Sequence, residues 1–421
     1  MKRITTLICL LLAFIMPFNL VGCTKVQAAD LMDGITPKKV TERNIDSEFI
    51  TRQLDLYFDL FKAVAAEDRS NDETDSLLVS PLSIILALSM TANGADGKTK
   101  QEMEVLLGGE KTIEELNEYL YSYASNLPSD KKSKLELANS IWFRDDSDKL
   151  TVEKEFLQKN ADYYSAAAYK SPFDQSTVND INNWVKKHTD GMIDEIIEDI
   201  DPLAIMYIIN AVAFDAEWLV PYEKEDVTTG RFTDYDGETS NAEVMCSTES
   251  QYIHDDQTTG FIKNYSGSNY SFVALLPSEG IDVYDYIKNL DGEKFSSLMN
   301  SMEQESVSAI MPKFSYDYDI TMNDVLKSLG MPSAFSSSEA DFSKLGTSPL
   351  GNIYINNVLH KTFISVDELG TRAGAVTMVE MRAEGAIMTE KTVCLDRPFV
   401  YAIVDNATSL PIFIGAVTEL D

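Results

Sequence analysis

Histidine and cysteine, which supply many catalytic and metal-binding groups, are scarce in this chain of 421 residues. It has three histidines, His188, His254 and His360, and four cysteines. A hydrolase needs a nucleophile, a base and a group that orients the base, and the chain has no Gly-x-Ser-x-Gly, His-Glu-x-x-His or Cys-His signature. The sequence therefore predicts a protein that is not an enzyme and that binds no metal or other cofactor.

Positive charge is also scarce, with 35 Lys and Arg residues against 68 Asp and Glu residues and a net charge of −33. A surface that follows a phosphate backbone needs clustered positive charge, so nucleic acid is not an expected partner. The sequence has no internal repeat, and no Gly/Ser-rich or Pro-rich linker follows residue 48. We therefore expect one large domain over residues 48–421.

The N-terminus has the pattern of an export signal. Lys2-Arg3 precede an apolar stretch, residues 4–18, which is too short to span a bilayer and is typical of a secretory signal. We therefore expect residues 1–22 to be a signal peptide that is not part of the fold.

A cysteine motif ends this leader. Leu20-Val-Gly-Cys23 resembles the bacterial lipobox, in which the cysteine is diacylated and becomes the new N-terminus. The resemblance implies an exported bacterial lipoprotein, anchored to the cell membrane through lipid on Cys23, with residues 23–47 as a polar tether. Ordinary signal cleavage after Ala28 or Ala29 is the alternative, and it would release a soluble, secreted protein.

Helical patterns dominate the early part of the chain, and strand-like runs cluster later. The helical segments are residues 49–66, 83–107, 114–123 and 178–188. The strand-like segments are residues 135–143, 205–214, 271–276 and 307–311, followed by a closing hairpin. This arrangement predicts an α+β protein with largely antiparallel sheets.

Three polar residues lie inside apolar runs: Ser83, Asn210 and His360. Buried polar groups need hydrogen-bond partners, so one shared cluster would account for all three. Ser80-Pro81 stand directly before the run that contains Ser83. They have the pattern of a helix N-cap followed by proline at the first helical position, where the missing N–H is not needed.

A run of small residues follows an acidic glycine turn late in the chain. The β-prone residues 361–366 enter the turn Glu368-Leu-Gly370. Because side chains alternate faces along a strand, the small residues beyond the turn would share one face that could enter a packed core. These residues are Thr371, Ala373, Ala375 and Thr377.

In this order, the segments resemble the serpin family, and the resemblance covers residues 48–421. It rests on residues 79–84, 210–218, 357–361 and 365–399 and on the closing hairpin, 398–405 with 411–417. It implies a serpin fold, with largely antiparallel β-sheets, surrounding helices and an exposed reactive-centre loop.

The resemblance also implies roles for individual residues. The hinge of the loop would consist of Glu368, Gly370, Thr371, Ala373, Ala375 and Thr377. The shutter and breach, where the main sheet opens, would include Ser80, Pro81, Ser83, Asn210, Trp218 and His360. Arg372 stands where the family usually has Glu, but it would face outward and be solvated.

Inhibitory serpins are suicide substrates, and the resemblance implies that mechanism here. A target serine protease would attack the loop and form a covalent acyl-enzyme, and the loop would then insert into the main sheet. Cysteine proteases would be secondary targets. The inward-facing hinge positions carry neither a charged residue nor a proline, and a proline there would delete a ladder hydrogen bond. Their composition therefore favours inhibition. The alternative is a non-inhibitory serpin that acts as a carrier or chaperone, and in both cases we expect a monomer.

The position of the scissile bond follows from the family's spacing. Counted from the hinge residue Glu368, the cut falls at Glu384-Gly385, which would suit a protease with a basic primary pocket. Arg382-Ala383 offers a trypsin-like site two residues earlier. Met381 or Ile387 would suit a chymotrypsin-like or elastase-like enzyme, so these alternatives stay open.

Two cysteines remain once the leader and Cys23 are set aside: Cys246 and Cys394. An exported pair can form a disulfide, but the resemblance places the two residues in different parts of the β-structure. We therefore expect two buried, unpaired thiols.

Overall fold

The computed structural model describes residues 28–71, 73–145, 150–201, 204–349, 351–371 and 391–420. Several predicted site residues lie outside this part of the chain. They are Cys23, the hinge positions Ala373, Ala375 and Thr377, and the candidate scissile residues Met381, Arg382, Ala383, Glu384, Gly385 and Ile387. Within the described ranges, no helix is both long and apolar enough to cross a membrane.

Helices form much of the first half of the fold. The α-helices of the described residues are α1 (Ser47–Ser70), α2 (Pro81–Ala92), α3 (Gly97–Gly108), α4 (Ile113–Asn126), α5 (Lys154–Tyr164), α6 (Gln175–His188), α7 (Val283–Lys288), α8 (Gly292–Asn300) and α9 (Asn323–Ser328). Ser80 occupies the N-cap position of α2 and Pro81 its first helical position, as predicted, but the Ser80 hydroxyl makes no capping hydrogen bond.

Strands occur throughout the part of the chain that the structure describes. They are β1 (Ala29–Asp30), β2 (Leu77–Val79), β3 (Ser133–Arg144), β4 (Thr151–Val152), β5 (Ala167–Ser171), β6 (Met206–Glu217), β7 (Val227–Thr233), β8 (Thr239–Glu249), β9 (Tyr252–His254), β10 (Thr258–Asn264), β11 (Tyr270–Pro277), β12 (Val307–Pro312), β13 (Phe314–Thr321), β14 (Gly346–Thr347), β15 (Asn357–Val366), β16 (Gly370–Thr371), β17 (Lys391–Cys394), β18 (Phe399–Asp405) and β19 (Pro411–Val417).

These strands form a seven-stranded, a six-stranded and a four-stranded sheet and one short strand pair. The strand orders of the three larger sheets are β1-β5-β3-β6-β16-β15-β13, β2-β19-β18-β11-β10-β9 and β17-β12-β8-β7. Most pairs are antiparallel, and the parallel exceptions are β3–β5, β6–β15 and β12–β17. The predicted α+β class with largely antiparallel sheets is confirmed.

Helix α2 lies between the two larger sheets. Every one of its residues is buried, and it packs on β19 on one side and on β3 and β6 on the other. A helix that is apolar all round is suited to such a position. The closing hairpin β18–β19, which is also buried along its whole length, completes this core.

The seven-stranded sheet is buried on both faces along β6. The even-numbered residues Ile208, Val212 and Phe214 belong to the core around α2. The odd-numbered Tyr207 and Ile209 belong to a second core beneath α6. Strand β6 therefore has an apolar surface on each side, as the near-continuous apolar run at 205–214 indicates.

Residues 28–46 run along the body of the molecule, whereas the sequence predicts a polar tether there. Strand β1 pairs with β5 at the edge of the seven-stranded sheet. Further on, the Lys38 N–H donates to Asp162 (2.7 Å) and the Arg43 N–H donates to Ser122 (2.8 Å). The difference arises because backbone hydrogen bonds hold this segment, and backbone pairing leaves no trace in a polar side-chain pattern.

The two remaining cysteines are free thiols, but their predicted placement in different parts of the β-structure is wrong. Cys246 and Cys394 both lie in the four-stranded sheet, on the strands that flank β12, and both pair with Ile310. Two strand spacings put their Cα atoms about 9–10 Å apart, beyond disulfide reach. Both are partly and not fully buried, and burial raises the pKa of each thiol.

Candidate functional site

The turn that leads into the loop is organised by Asp367. Its carboxylate accepts hydrogen bonds from the Leu369 N–H (2.8 Å) and the Gly370 N–H (3.2 Å), and its own N–H donates to the Gly370 carbonyl (3.0 Å). Asp commonly stabilises turns in this way. Asp367 is not among the residues identified from the sequence, although Asp in front of Glu-Leu-Gly is a recognisable turn signal.

Strand β16 then enters the seven-stranded sheet between β6 and β15. Thr371 pairs with Ala216 on one side and Val366 on the other. Gly370 is needed here, because a Cβ atom at this position would lie 2.0 Å from the Ala216 carbonyl oxygen. We call this region the open end of the sheet.

Further down the same two strands, nothing separates β6 from β15. Residues Tyr207–Asn210 pair directly, in parallel, with Asn357–His360. We call this region the closed end. The seven-stranded sheet therefore has a strand-wide opening at one end, occupied by Gly370 and Thr371, and no opening at the other.

Thr371 faces the core. It is buried, and its hydroxyl is hydrogen-bonded to the Tyr265 hydroxyl. Tyr265 in turn stacks on Trp218, with ring centroids 4.5 Å apart. Burial raises the pKa of Tyr265, so this phenol remains a neutral hydrogen-bonding group.

Three consecutive hinge carbonyls are held by Trp218 and Tyr222. The Trp218 indole N–H donates to the Asp367 carbonyl (2.9 Å). The Trp218 backbone N–H donates to the Leu369 carbonyl (2.8 Å) and the Tyr222 N–H donates to the Glu368 carbonyl (2.9 Å). We call this arrangement the hinge clamp. Trp218 is predicted from the sequence, whereas Tyr222 is not.

The side chain of Glu368 forms an ion pair with Lys313, with 2.8 Å between Nζ and the carboxylate. The hydrogen bond from Lys313 lowers the pKa of Glu368. Lys313 follows β12 and was not identified from the sequence, because a lysine in an acidic chain carries no signal of its partner.

At the closed end, the buried polar residues Ser83 and Asn210 meet. The Ser83 hydroxyl donates to the Asn210 side-chain oxygen, and the Asn210 amide donates to the Ser83 carbonyl (2.9 Å) and to Asn139 (2.6 Å). Asn139, on β3, was not identified from the sequence. This network connects α2 to both β3 and β6.

His360 lies beside Asn210 as its paired residue on β15. Its Nε2 accepts a hydrogen bond from the Ser80 N–H (3.1 Å), and burial lowers its pKa from 6.5 to about 3. The imidazole is therefore neutral at ordinary pH. The structure brings the four residues together at the closed end as two hydrogen-bonded pairs, Ser80 with His360 and Ser83 with Asn210, joined through neighbouring positions on β15 and β6.

The three histidines occupy separate surroundings. His188 packs on Trp184 at the end of α6, and exposed His254 lies 3.2 Å from Glu303, while His360 is buried at the closed end. The most distinctive feature of the site is instead the seven-stranded sheet. Strand β16 lies between β6 and β15 at the open end, and β6 and β15 pair directly at the closed end.

Comparisons with known proteins agree with this geometry. A family model described as "Serpin (serine protease inhibitor)" matches residues 51–420. The chain is similar to the native state of the thermophilic serpin Tengpin, with a TM-score of 0.89 and 53% identity over 94% of this chain and 100% of that one.

Two further relatives are more distant. Serine proteinase inhibitor 1 of Vaccinia virus (strain Western Reserve) is 32% identical over 85% of this chain and 98% of its own length. The structure of thyroxine-binding globulin in complex with thyroxine is similar in fold, with a TM-score of 0.78 and 23% identity over 89% of this chain and 99% of that one.

Proposed function

This chain belongs to the serpin family, and from that premise we propose that it inhibits a serine protease as a suicide substrate. The observation that carries the proposal is strand β16, which already lies between β6 and β15. In our proposal the cleaved loop continues this strand toward the closed end. Cysteine proteases would be secondary targets.

The register of β16 shows which residues an inserted strand would meet. Continued antiparallel to both neighbours, its inward-facing residues would lie between buried pairs on β6 and β15. Ala373 would meet Phe214 and Ile364, Ala375 would meet Val212 and Thr362, and Thr377 would meet Asn210 and His360. All six of these neighbours face the core and are buried, so small, uncharged side chains suit these positions.

Insertion would exchange one set of pairings for another. The direct pairing of Tyr207–Asn210 with Asn357–His360 would be lost, and β6 and β15 would each gain a ladder with the new strand. The uncut loop is joined at its far end to β17 in the four-stranded sheet, and this connection would oppose the exchange. The intact protein would then be kinetically trapped, and its lifetime would depend on a barrier instead of on equilibrium stability.

Chain length determines where the protease would be carried. In this register Met381 would pair with Met206 at the beginning of β6, and Glu384 lies three residues further on. The fourteen residues from Thr371 to Glu384 span roughly 45 Å as a strand. A protease attached to Glu384 would therefore move from one end of the sheet to the other.

The covalent step is ordinary acyl transfer. The protease serine oxygen attacks the Glu384 carbonyl, the bond to the Gly385 nitrogen breaks, and that nitrogen leaves as an amine with the proton taken from the serine. An ester then joins Glu384 to the protease. Inhibition requires that insertion distorts the protease before water hydrolyses this ester.

The test of this function is covalent complex formation. The protein is mixed with a glutamyl endopeptidase, trypsin, chymotrypsin and elastase, and complexes that survive SDS are counted, with each protease inactivated at its serine as the matched control. We expect a stable band with at least one active protease. Cleavage in the loop by every protease without any stable band would favour the carrier or chaperone alternative.

The peptide released with the complex identifies the scissile bond. A new N-terminus at Gly385 supports the bond Glu384-Gly385, whereas Ala383 indicates a trypsin-type inhibitor cut after Arg382. A start before Thr377 would contradict the insertion mechanism, because the remaining strand would be too short to carry the protease along β6.

We also propose that the protein is exported and is held at the membrane by lipid on Cys23, with residues 1–22 removed. The supporting pattern is Leu20-Val-Gly-Cys23. Cys23→Ser should move the protein from the membrane to the soluble fraction of producing cells, because one lipid-modified residue would be its anchor. A variant that stays with the membrane would contradict the anchor, and Cys246→Ser is the matched control.

A further inference from the structure

Lys263, on β10 beneath the hinge clamp, is an unusual residue for its surroundings. Its side chain is 3% exposed, although lysine is rarely buried unless it is paired. Neither the hinge nor the closed end contains it. Burying a charged ammonium group costs free energy unless nearby groups interact strongly with it. The groups that contact Lys263 therefore show which part of the structure it stabilises.

The ammonium group of Lys263 has four neighbours. It lies 2.9 Å from the Glu249 carboxylate and donates to the Val220 carbonyl at 3.2 Å. It also lies 4.2 Å from the centre of the Tyr222 ring and 5.5 Å from the Trp218 ring, within the range of a cation–π interaction. Three of these four groups belong to one short segment, residues 218–222.

Residues 218–222 are the segment that carries the hinge clamp. Trp218 and Tyr222 supply all three of its N–H donors. Between them, the side chains of Leu219 and Val220 are 50% and 69% exposed, so they contribute little burial that could fix the segment. Lys263 contacts it from the buried side at its middle and at both ends.

We propose that Lys263 is a positioning residue that keeps residues 218–222 in the conformation that aligns the hinge with β6. It would thereby influence how cleaved molecules divide between trapping the protease and releasing it. This inference rests on the proposed inhibitory function, but it also makes a prediction about local structure that does not depend on inhibition.

Loss of the ammonium group should act on one step. Without it, the Val220 carbonyl and Glu249 lose a shared donor, and the hinge carbonyls that the clamp holds become less well ordered. Strand insertion would then begin more slowly. Hydrolysis of the acyl-enzyme is carried out by the protease and would be unchanged, so more inhibitor would be consumed for each protease trapped.

The test compares Lys263→Met with Lys294→Met in the full-length protein. Methionine keeps most of the apolar stem and removes the charge. Lys294 forms an ion pair with Asp255 away from the hinge, so its variant controls for loss of an ion pair elsewhere. The measurements are the stoichiometry of inhibition, the rate at which the protease cleaves the loop, and amide hydrogen exchange.

We expect the ratio of cleaved to complexed inhibitor, which sets the stoichiometry of inhibition, to rise by about tenfold in Lys263→Met, the lower end of the effect of losing a hydrogen bond from a charged donor. The rate at which the protease attacks the loop should not change. Exchange at the Trp218 and Tyr222 amides should become faster. Lys294→Met should leave all three unchanged, and an unchanged stoichiometry in Lys263→Met would overturn the effect on partitioning.

Hydrogen exchange separates this inference from the proposed function. If the wild-type protein traps no protease, the proposed function fails, but faster exchange at Trp218 and Tyr222 in Lys263→Met would still support positioning. Unchanged exchange there would overturn it. If Lys263→Met does not fold, Glu249→Gln replaces it, because this variant removes the carboxylate that pairs with the Lys263 ammonium group. Exchange at Trp218 and Tyr222 should again become faster, but by a smaller amount. Unchanged exchange in Glu249→Gln would contradict the proposal.

Discussion

The open and closed ends of the seven-stranded sheet lie on the same two strands but are held in different ways. At the open end, backbone donors of Trp218 and Tyr222 and the close approach of Gly370 hold the incoming chain. At the closed end, β6 and β15 pair directly, and the side chains of Asn210 and His360 bind the start of α2.

This difference explains how the sheet could accept the loop as a strand after cleavage but not before it. At the open end the clamp acts on the hinge carbonyls, and among the described residues Thr371 is the inserted one whose side chain makes a hydrogen bond there. Contacts to carbonyls do not depend on the identity of the residue that carries them, so they leave the chain free to extend in register. The buried side-chain network at the closed end would have to rearrange before a strand passes, and its polar groups would need new partners. The open end would allow strand insertion to begin, and the closed end would slow its completion. Together they would give a long-lived native state.

Cleavage of the loop should have the largest effect, because it would remove the difference between the two ends. A complete inserted strand adds roughly ten ladder hydrogen bonds at about 1 kcal/mol each. For a domain of this size, that corresponds to a rise in the thermal midpoint of about 13 °C. Melting before and after limited proteolysis measures it, and an unchanged midpoint would contradict the insertion mechanism.

Substitutions at the open end should convert the inhibitor into a plain substrate. Ala373→Pro would delete a ladder hydrogen bond in the inserted strand, and Thr371→Arg would bury a charge beside Tyr265. Each should abolish SDS-stable complex while the loop is still cut. Arg372→Ala, at a position predicted to face outward in the inserted strand, is the control and should remain inhibitory. Full inhibitory stoichiometry in either test variant would show that the face assignment is wrong.

The sequence was sufficient to predict features that repeat along one element. The period of two along the loop predicted that Thr371 faces inward, and Thr371 is buried. The apolar run after Ser80-Pro81 predicted one helical segment over residues 83–107, and the structure divides it into α2 at Pro81–Ala92 and α3 at Gly97–Gly108. Both predictions depend on local geometry, which the order of residues largely determines.

Contacts between distant segments could not be predicted in the same way. Lys263 and Tyr222 are separated by forty-one residues, and their contact depends on how β10 passes beneath residues 218–222. Cys246 and Cys394 share a sheet because β12 lies between their strands, an order that no local pattern reports. Tertiary packing, and not propensity, decides such placements.

Acid should act on the closed end through His360. Burial lowers the pKa of His360 from 6.5 in the unfolded chain to about 3 in the fold. As the pH falls below 6.5, the unfolded state therefore binds a proton and the folded state does not. Folding stability then falls, by about 2 kcal/mol at pH 5 relative to pH 7. Asp68 opposes this loss, because burial raises its pKa from 3.8 to about 6 and the folded state is protonated first.

Two variants separate these opposing contributions by denaturant unfolding at pH 7 and pH 5. His360→Gln keeps an acceptor for the Ser80 N–H, and it should become more stable at pH 5 by about 1 kcal/mol. Asp68→Asn should instead lose about 2 kcal/mol. Wild-type protein should lie between the two variants, and identical pH dependence in all three proteins would show that His360 does not titrate as proposed.

The ion pair between Lys313 and Glu368 should have the smallest effect, although it lies at the hinge. Glu368 is 40% exposed, so solvent screens the pair, and its loss should cost at most about 1 kcal/mol. Lys313→Ala should therefore lower stability slightly, and the loss should shrink as salt is added. Glu243→Ala, which removes the other carboxylate near Lys313 at 3.4 Å, is the matched control. A loss of stability in Lys313→Ala that is large and independent of salt would contradict this prediction. It would mean that the open end depends on side-chain charge as well as on the contacts of the hinge clamp. The contrast between the open and closed ends would then be weaker than we propose.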